Sequence, residues 1–293
     1  MSIPAFTATR PASKFRLVGA AVLSLISGVA QAQLHGPDPT VQTLEAAKGP
    51  YATTSATVGS PSGYGAATVY YPTVRTEGQF GVVVLAPGFL AIQNYYRWLA
   101  ERVASHGFVV VTVNFNSVFD QPDSRGTQMG KAMQQVVNLS KTMTTPYYGV
   151  IDVNRQAMMG HSMGGGGTLA AAKANPALKA AVALAPWHTT KTWSTIQVPT
   201  LIISDEKDTI ATNTEHSNVF YASFAATLPS AKIELAGADH VCGIQASAET
   251  CKTPLAKYSI AWLKRFVDTD TRYTPFVKAR AADMSAFETR GQY

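Results

Sequence analysis

The chain has 293 residues, 46% of them hydrophobic, enough to bury one large core. Its formal charge of +6 is not gathered into a Lys/Arg cluster with interleaved aromatics, which argues against a nucleic-acid partner. The six histidines and two cysteines fall in no metal-ligand spacing, so neither a metal nor a cofactor is expected.

Met1–Arg16 carries Arg10, Lys14 and Arg16 and no acidic residue. Leu17–Val29 is apolar and small, and Ala30-Gln31-Ala32 has the small-x-small form of a cleavage site. This pattern predicts a secretory signal peptide over residues 1–32, cut after Ala32, and a single domain over residues 33–293. The apolar run is too short for a membrane anchor. Its removal takes three of the 24 basic residues and none of the 18 acidic ones, leaving +3. The expected location is secreted, extracellular or periplasmic. In that compartment Cys242 and Cys251, nine apart, are expected to form a disulfide.

Residues 33–50 are polar with several prolines and are expected to wrap the surface. Ala52–Val58 and Ala66–Tyr71 alternate as strands around a turn-rich Gly59–Gly63. Phe80–Leu85 is a continuous apolar run, as expected of a strand buried on both faces, and it leads into Ala86-Pro87-Gly88-Phe89. Tyr95–His106 reads as helix, Phe108–Val113 as a second buried strand, and Asp123–Thr142 as a helix. The latter has an apolar stripe of Met129, Met133, Val136, Val137 and Met143 that reads as core.

A further strand ends in Gly160-His161-Ser162-Met163-Gly164, and Ala- and Leu-rich helix follows. Strand, sharp turn and helix with serine at the apex form a nucleophile elbow. Flanking glycines leave room where a Cβ would collide, and the helix N-terminus favours negative charge. Ala180–Leu184, Thr200–Ser204 and Lys232–Leu235 are the remaining predicted strands. Thr212–Thr227 is a predicted helix and Pro254–Val267 the closing one. Alternation of strands and helices predicts an α/β fold with a mostly parallel sheet, its functional groups beyond the strand C-termini.

A serine hydroxyl needs a base, and the base needs a carboxylate to orient it. His240, after the last predicted strand, is favoured as the base, with His188 as the rival. Asp208 is favoured as the acid, with Asp205 as its rival; Asp205 and Glu206 are expected to face solvent or cap the next helix. The order Ser162, Asp208, His240 is that of an α/β-hydrolase. Met163 N–H and Phe89 N–H are the expected oxyanion donors, and both side chains can floor an apolar cleft.

Several separated motifs resemble the bacterial cutinase-like polyesterases, which include the poly(ethylene terephthalate) hydrolases. They are Pro87-Gly88-Phe89, Ser105–Val110, Asp120-Gln121-Pro122 with Ser124-Arg125, Gly160–Gly167, Ala185-Pro186-Trp187 and Trp262–Phe266 with Asp270–Tyr273. The resemblance implies a lidless α/β-hydrolase that cleaves polyester or small ester substrates through an acyl-enzyme. It implies Ser162, Asp208 and His240 as the triad, and Phe89 and Met163 as the oxyanion hole. Trp187 would be an aromatic wall, Ile210 would line the opposite side, and His161 would border the cleft. A monomer with no membrane partner is expected.

The chain departs from the family at several positions. Phe89 stands where Tyr is common, and His161 follows the cutinase form where some plastic-degrading members carry Trp. The familiar C-terminal disulfide is missing, and Asp205 stands where some members place a cysteine partner for Cys242. A local Cys242–Cys251 bridge tethering the loop after His240 is expected instead. Alternatives are a lipase or small-ester carboxylesterase on the same scaffold and, from another class, a catalytically silent binding protein. A dienelactone hydrolase would offer a cysteine nucleophile where this chain has Ser162.

Overall fold

The computed structural model describes residues 1–5, 7 and 34–293. The predicted apolar run of the signal and its cleavage point lie outside the described residues. Residues 1–5 and 7 form no helix or strand.

From residue 34 the chain builds, in order, α1 (Val41–Glu45), β1 (Thr53–Thr57), β2 (Ala66–Pro72), β3 (Phe80–Ala86), a 3-10 turn (Gln93–Tyr96) and α2 (Arg97–Ser105). Then come β4 (Phe108–Asn114), α3 (Pro122–Leu139), β5 (Ile151–His161), α4 (Met163–Ala174), β6 (Ala180–Leu184) and β7 (Thr200–Asp205). The chain closes with α5 (Ser217–Ala222), β8 (Ser230–Leu235), α6 (Glu249–Val267), α7 (Thr274–Lys278) and β9 (Met284–Arg290). The nine strands form one sheet in the order β1-β2-β4-β3-β5-β6-β7-β8-β9. From β4 to β8 every neighbouring pair is parallel, and the pairs β1/β2, β2/β4 and β8/β9 are antiparallel.

The central strands are β-branched and apolar because both of their faces are covered. In β3 the side chains alternate with the pleat. Val82 and Val84 enter a core shared with Met129 and Val136 of α3, Leu169 of α4 and Phe220 of α5. Val83 and Leu85 enter a core shared with Leu44 of α1, Leu99 of α2 and Ile260 of α6. Each of these four strand residues is at most 1% exposed, so each contributes about 1.5–3 kcal/mol of burial. From β3 the chain crosses one way to β4, then back past β3 to β5. The reversal makes the C-terminal ends of β3 and β5 the topological switch point, where ligands enter sheets of this kind.

Four expectations change. Residues 34–50 of the expected wrapping segment do more than wrap the surface. Thr40 caps α1 through its hydroxyl, and Leu44 is buried. The helix expected over Thr212–Thr227 shrinks to α5. Asn213 turns its amide out to the Asp205 carbonyl and the Glu234 carboxylate, and Ser223 bonds the Phe220 carbonyl, so both ends leave the helix. Met143 lies beyond α3 and is exposed, outside the core stripe. Lys232–Leu235 falls within β8 but is not the last strand. β9 follows as an edge strand whose half-exposed residues carry no apolar run.

Candidate active site

Ser162 stands between the last residue of β5 and the first of α4, with φ 56° and ψ −122°. This left-handed backbone strains a non-glycine residue and is held by its surroundings. The Ser162 N–H donates to the Leu184 carbonyl, and the Ser162 carbonyl accepts from both Gly166 and Trp187. The flanking glycines are obligatory. A Cβ on Gly160 would lie 2.3 Å from the Gly164 carbonyl oxygen, and one on Gly164 would lie 2.5 Å from that of Pro87.

The three residues expected to act together are brought together. His240 Nε2 is 2.9 Å from Ser162 Oγ, and His240 Nδ1 is 2.7 Å from Asp208 Oδ2. All three are nearly buried. The other Asp208 oxygen accepts the N–H groups of Ile210 and Ala211, each at 2.8 Å. Burial pushes the Asp208 carboxyl up, but the His240 hydrogen bond and charge and these two N–H groups outweigh it and hold the carboxyl below its ordinary value. A hydroxyl bonded to an imidazole that a carboxylate orients can lose its proton as it attacks a carbonyl.

The rival residues are engaged elsewhere. His188 Nε2 donates to Asp123 at 3.2 Å, and its Nδ1 accepts the Thr190 N–H. Asp205 neither faces solvent nor caps a helix. β7 runs one residue past the expected Thr200–Ser204, so Asp205 is its last residue, paired with Leu235 and 2% exposed. Burial first, then Asp208, Asp239 and Glu234, raise its carboxyl well above the ordinary value. Glu206 is exposed and accepts the Gly237 N–H.

Phe89, His161, Ser162, Ile210 and His240 line one open cavity of about 350 Å³, mostly apolar. Phe89 and Ile210 are 45% and 61% exposed, so the cleft mouth is an apolar surface. Among the described residues, the Phe89 and Met163 N–H groups donate to no protein acceptor. They are free to receive an oxyanion. His161 is buried, with one ring nitrogen 2.8 Å from the Tyr96 hydroxyl and the other 2.7 Å from the His240 carbonyl. Met163 and Trp187 do not line this cavity. Trp187 is half-buried against the His216 ring, centroids 5.6 Å apart, and its indole N–H has no partner among the described residues. Cys242 and Cys251 form a disulfide that joins the loop after His240 to the start of α6.

Sequence reading missed the roles of Tyr96, which lay within an expected helix, and of His216 and Phe119. Phe119 is 63% exposed and meets Phe89 edge-on at 5.8 Å.

A parallel sheet of this order, a serine on the strand-to-helix turn, and a carboxylate and imidazole after later strands define an α/β-hydrolase. The chain belongs to the PETase, PET hydrolase-like family, whose model matches residues 28–291. It is 46% identical over 245 residues to a bis(hydroxyethyl) terephthalate hydrolase of Streptomyces coelicolor, covering 83% of this chain and 76% of that one. It is 43% identical over 263 residues to a cutinase of Thermobifida fusca, covering 89% and 84%. Cutinase 1 of Thermobifida cellulosilytica is 45% identical over 245 residues, covering 83% and 90%. No helix among the described residues is long and apolar enough to cross a membrane.

Proposed function

We propose that the protein is a carboxylic ester hydrolase that cleaves polyesters, aromatic ones included, and short-chain esters through an acyl-enzyme. The observation that carries this reading is the hydrogen-bonded chain Ser162–His240–Asp208 opening on an exposed apolar cleft. Relatives named cutinase and bis(hydroxyethyl) terephthalate hydrolase support the substrate class.

Ser162 Oγ attacks the ester carbonyl carbon while His240 Nε2 takes the hydroxyl proton. Asp208 stabilises the imidazolium through its Nδ1–H. The oxyanion receives the N–H groups of Phe89 and Met163, a pair in which one donor is typically worth about 3–4 kcal/mol. The tetrahedral centre collapses, His240 protonates the departing alkoxide, and the acyl group stays on Ser162. A water then gives a proton to His240 and attacks the acyl carbon. Collapse breaks the bond to Oγ, which regains the proton, and the acid leaves. Phe89, Ile210 and His161 border the bound acyl group, and Trp187, outside this cavity, serves as an aromatic wall only for a substrate that extends beyond it. Residues 1–32 act as the export signal, residues 33–293 form the single catalytic domain, and the mature protein works outside the cell or in the periplasm as a monomer.

The test compares wild type with Ser162→Ala on short p-nitrophenyl esters and on an amorphous aromatic polyester film. Ester turnover and release of aromatic acid from the film, both lost in the variant, are expected. Turnover of soluble esters without film release would reduce the reading to a small-ester carboxylesterase. Absence of Ser162-dependent turnover would overturn it.

A further inference from the structure

Arg125, in the first turns of α3, is fully buried, yet among the described residues it forms no ion pair. Burying a guanidinium without a paired carboxylate is costly even with the Asp120 charge nearby, and an apolar side chain would pack α3 at less cost. What Arg125 holds is backbone. Its Nη1 donates to the Pro87 and Gly88 carbonyls, both at 3.1 Å. Its Nε donates to the Asp120 carbonyl at 2.6 Å and its Nη2 to the Val118 carbonyl at 2.7 Å. The guanidinium also lies over the Phe115 ring, 4.6 Å from its centroid. Burial lowers its pKa to about 10, so it keeps its charge at neutral pH.

Resting on the hydrolase reading above, we propose that Arg125 is a positioning residue that aims the Phe89 N–H at the oxyanion. The Gly88 carbonyl and the Phe89 N–H belong to one peptide unit. In a planar trans peptide the two point in opposite directions, so fixing the carbonyl fixes the N–H. Arg125 and the Ala91 N–H both hold the Gly88 carbonyl. Gly88 itself abuts the nucleophile: a Cβ there would lie 3.0 Å from Ser162 Cβ. Without the guanidinium, the Gly88 carbonyl keeps only the Ala91 N–H, and the peptide can rotate its N–H off the reacting oxygen. A planar fork with five donors can serve four carbonyls at once; a lysine ammonium, a point charge with three donors, cannot. The Asp120-Gln121-Pro122 and Ser124-Arg125 motif thereby acquires a role. Pro122 starts α3, and α3 carries the guanidinium beneath the loop after β3.

The test uses the mature chain as wild type, Arg125→Lys and Arg125→Met. Exhaustive labelling with an organophosphonate counts competent Ser162 sites, and kcat and KM for p-nitrophenyl butyrate are expressed per labelled site. Loss of one oxyanion donor predicts a fall in kcat of about 10²-fold in Arg125→Met, with KM within about threefold. Arg125→Lys should fall between Arg125→Met and wild type. Inhibition by a phenylboronic acid, whose tetrahedral adduct places an oxygen anion in the same donors, should weaken in step with kcat/KM. If Arg125→Met does not fold, Arg125→Lys alone decides. A lower melting temperature or fewer labelled sites, with per-site kcat and boronate affinity unchanged, would overturn the inference and leave the hydrolase reading standing. Wild type without Ser162-dependent turnover would remove both.

Discussion

His161 and His240 lie with ring centroids 5.0 Å apart, and His161 Nε2 donates to the His240 backbone carbonyl at 2.7 Å. That bond fixes the His161 tautomer, so its Nδ1 must accept, and the donor is the Tyr96 hydroxyl at 2.8 Å. Burial first, then the neighbouring His240, lower the His161 pKa to about 3, which keeps the ring neutral over the whole working range. The Tyr96 oxygen in turn accepts the Gly88 N–H at 3.3 Å. One buried network thus joins the backbone of His240 to the loop that carries Phe89.

Tyr96→Phe tests that network. It leaves His161 Nδ1 and the Gly88 N–H without their partner, among side chains that are buried. The expected loss is about 1–3 kcal/mol, read as a lower urea midpoint at constant slope. An unchanged midpoint would mean that the hydroxyl contributes nothing the ring does not.

Asp205 and Asp208 should titrate against stability with opposite signs. Asp208 is held below its ordinary value, so its contribution is complete above the unfolded carboxylate range and is lost as pH falls through the lower folded value. Asp208→Asn should therefore be destabilised at neutral pH, with the deficit closing in acid, and its kcat should fall by about 10⁴-fold because the imidazole loses its tautomer control. Asp205 is raised, so its folded form holds a proton that the unfolded chain gives up, and it weakens the fold as pH climbs from the ordinary carboxylate value towards the raised one. One of its oxygens has no partner. Asp205→Asn should gain on wild type as pH rises above the ordinary carboxylate value, by about 1–3 kcal/mol. Melts extended from strong acid to mildly alkaline pH check both variants; parallel pH profiles for Asp205→Asn and wild type would refute the second.

The central strands were legible because being covered on both faces demands continuous β-branched apolar runs, as in Phe80–Ala86 and Phe108–Asn114. The turn at Ser162 was legible because its geometry demands Gly160 and Gly164. β9 was not, since an edge strand needs only backbone pairing and tolerates Glu288 and Arg290. Asp205 was misplaced because acidity suggests solvent, whereas its position at the end of β7 and its pairing with Leu235 bury it. The roles of Tyr96, His216 and Phe119 depend on contacts between loops far apart in sequence, which no local pattern records.

The Cys242–Cys251 bridge closes a short loop that begins two residues after His240. On the chain-entropy model such a loop stabilises by about 2–3 kcal/mol. Cys242→Ser/Cys251→Ser should melt lower than wild type by a corresponding amount, and a reductant should lower wild type alone. If the reductant shifts both proteins equally, the bridge is not the element being lost.

Phe119 separates binding of a surface from chemistry on an ester. Its ring is 63% exposed, meets Phe89 at the mouth of the cleft, and touches neither Ser162 nor His240. An exposed aromatic edge that extends the apolar rim gains only when something flat and apolar covers it. Covering part of such a ring is worth about 1–2 kcal/mol, so Phe119→Ala should slow acid release from an aromatic polyester film about five- to thirtyfold. The variant should keep wild-type kcat/KM on p-nitrophenyl acetate and change stability by less than about 0.5 kcal/mol. Equal losses on film and soluble ester would instead mean that Phe119 acts through Phe89 on the oxyanion loop, because a docking contact is used only where there is a surface to dock on.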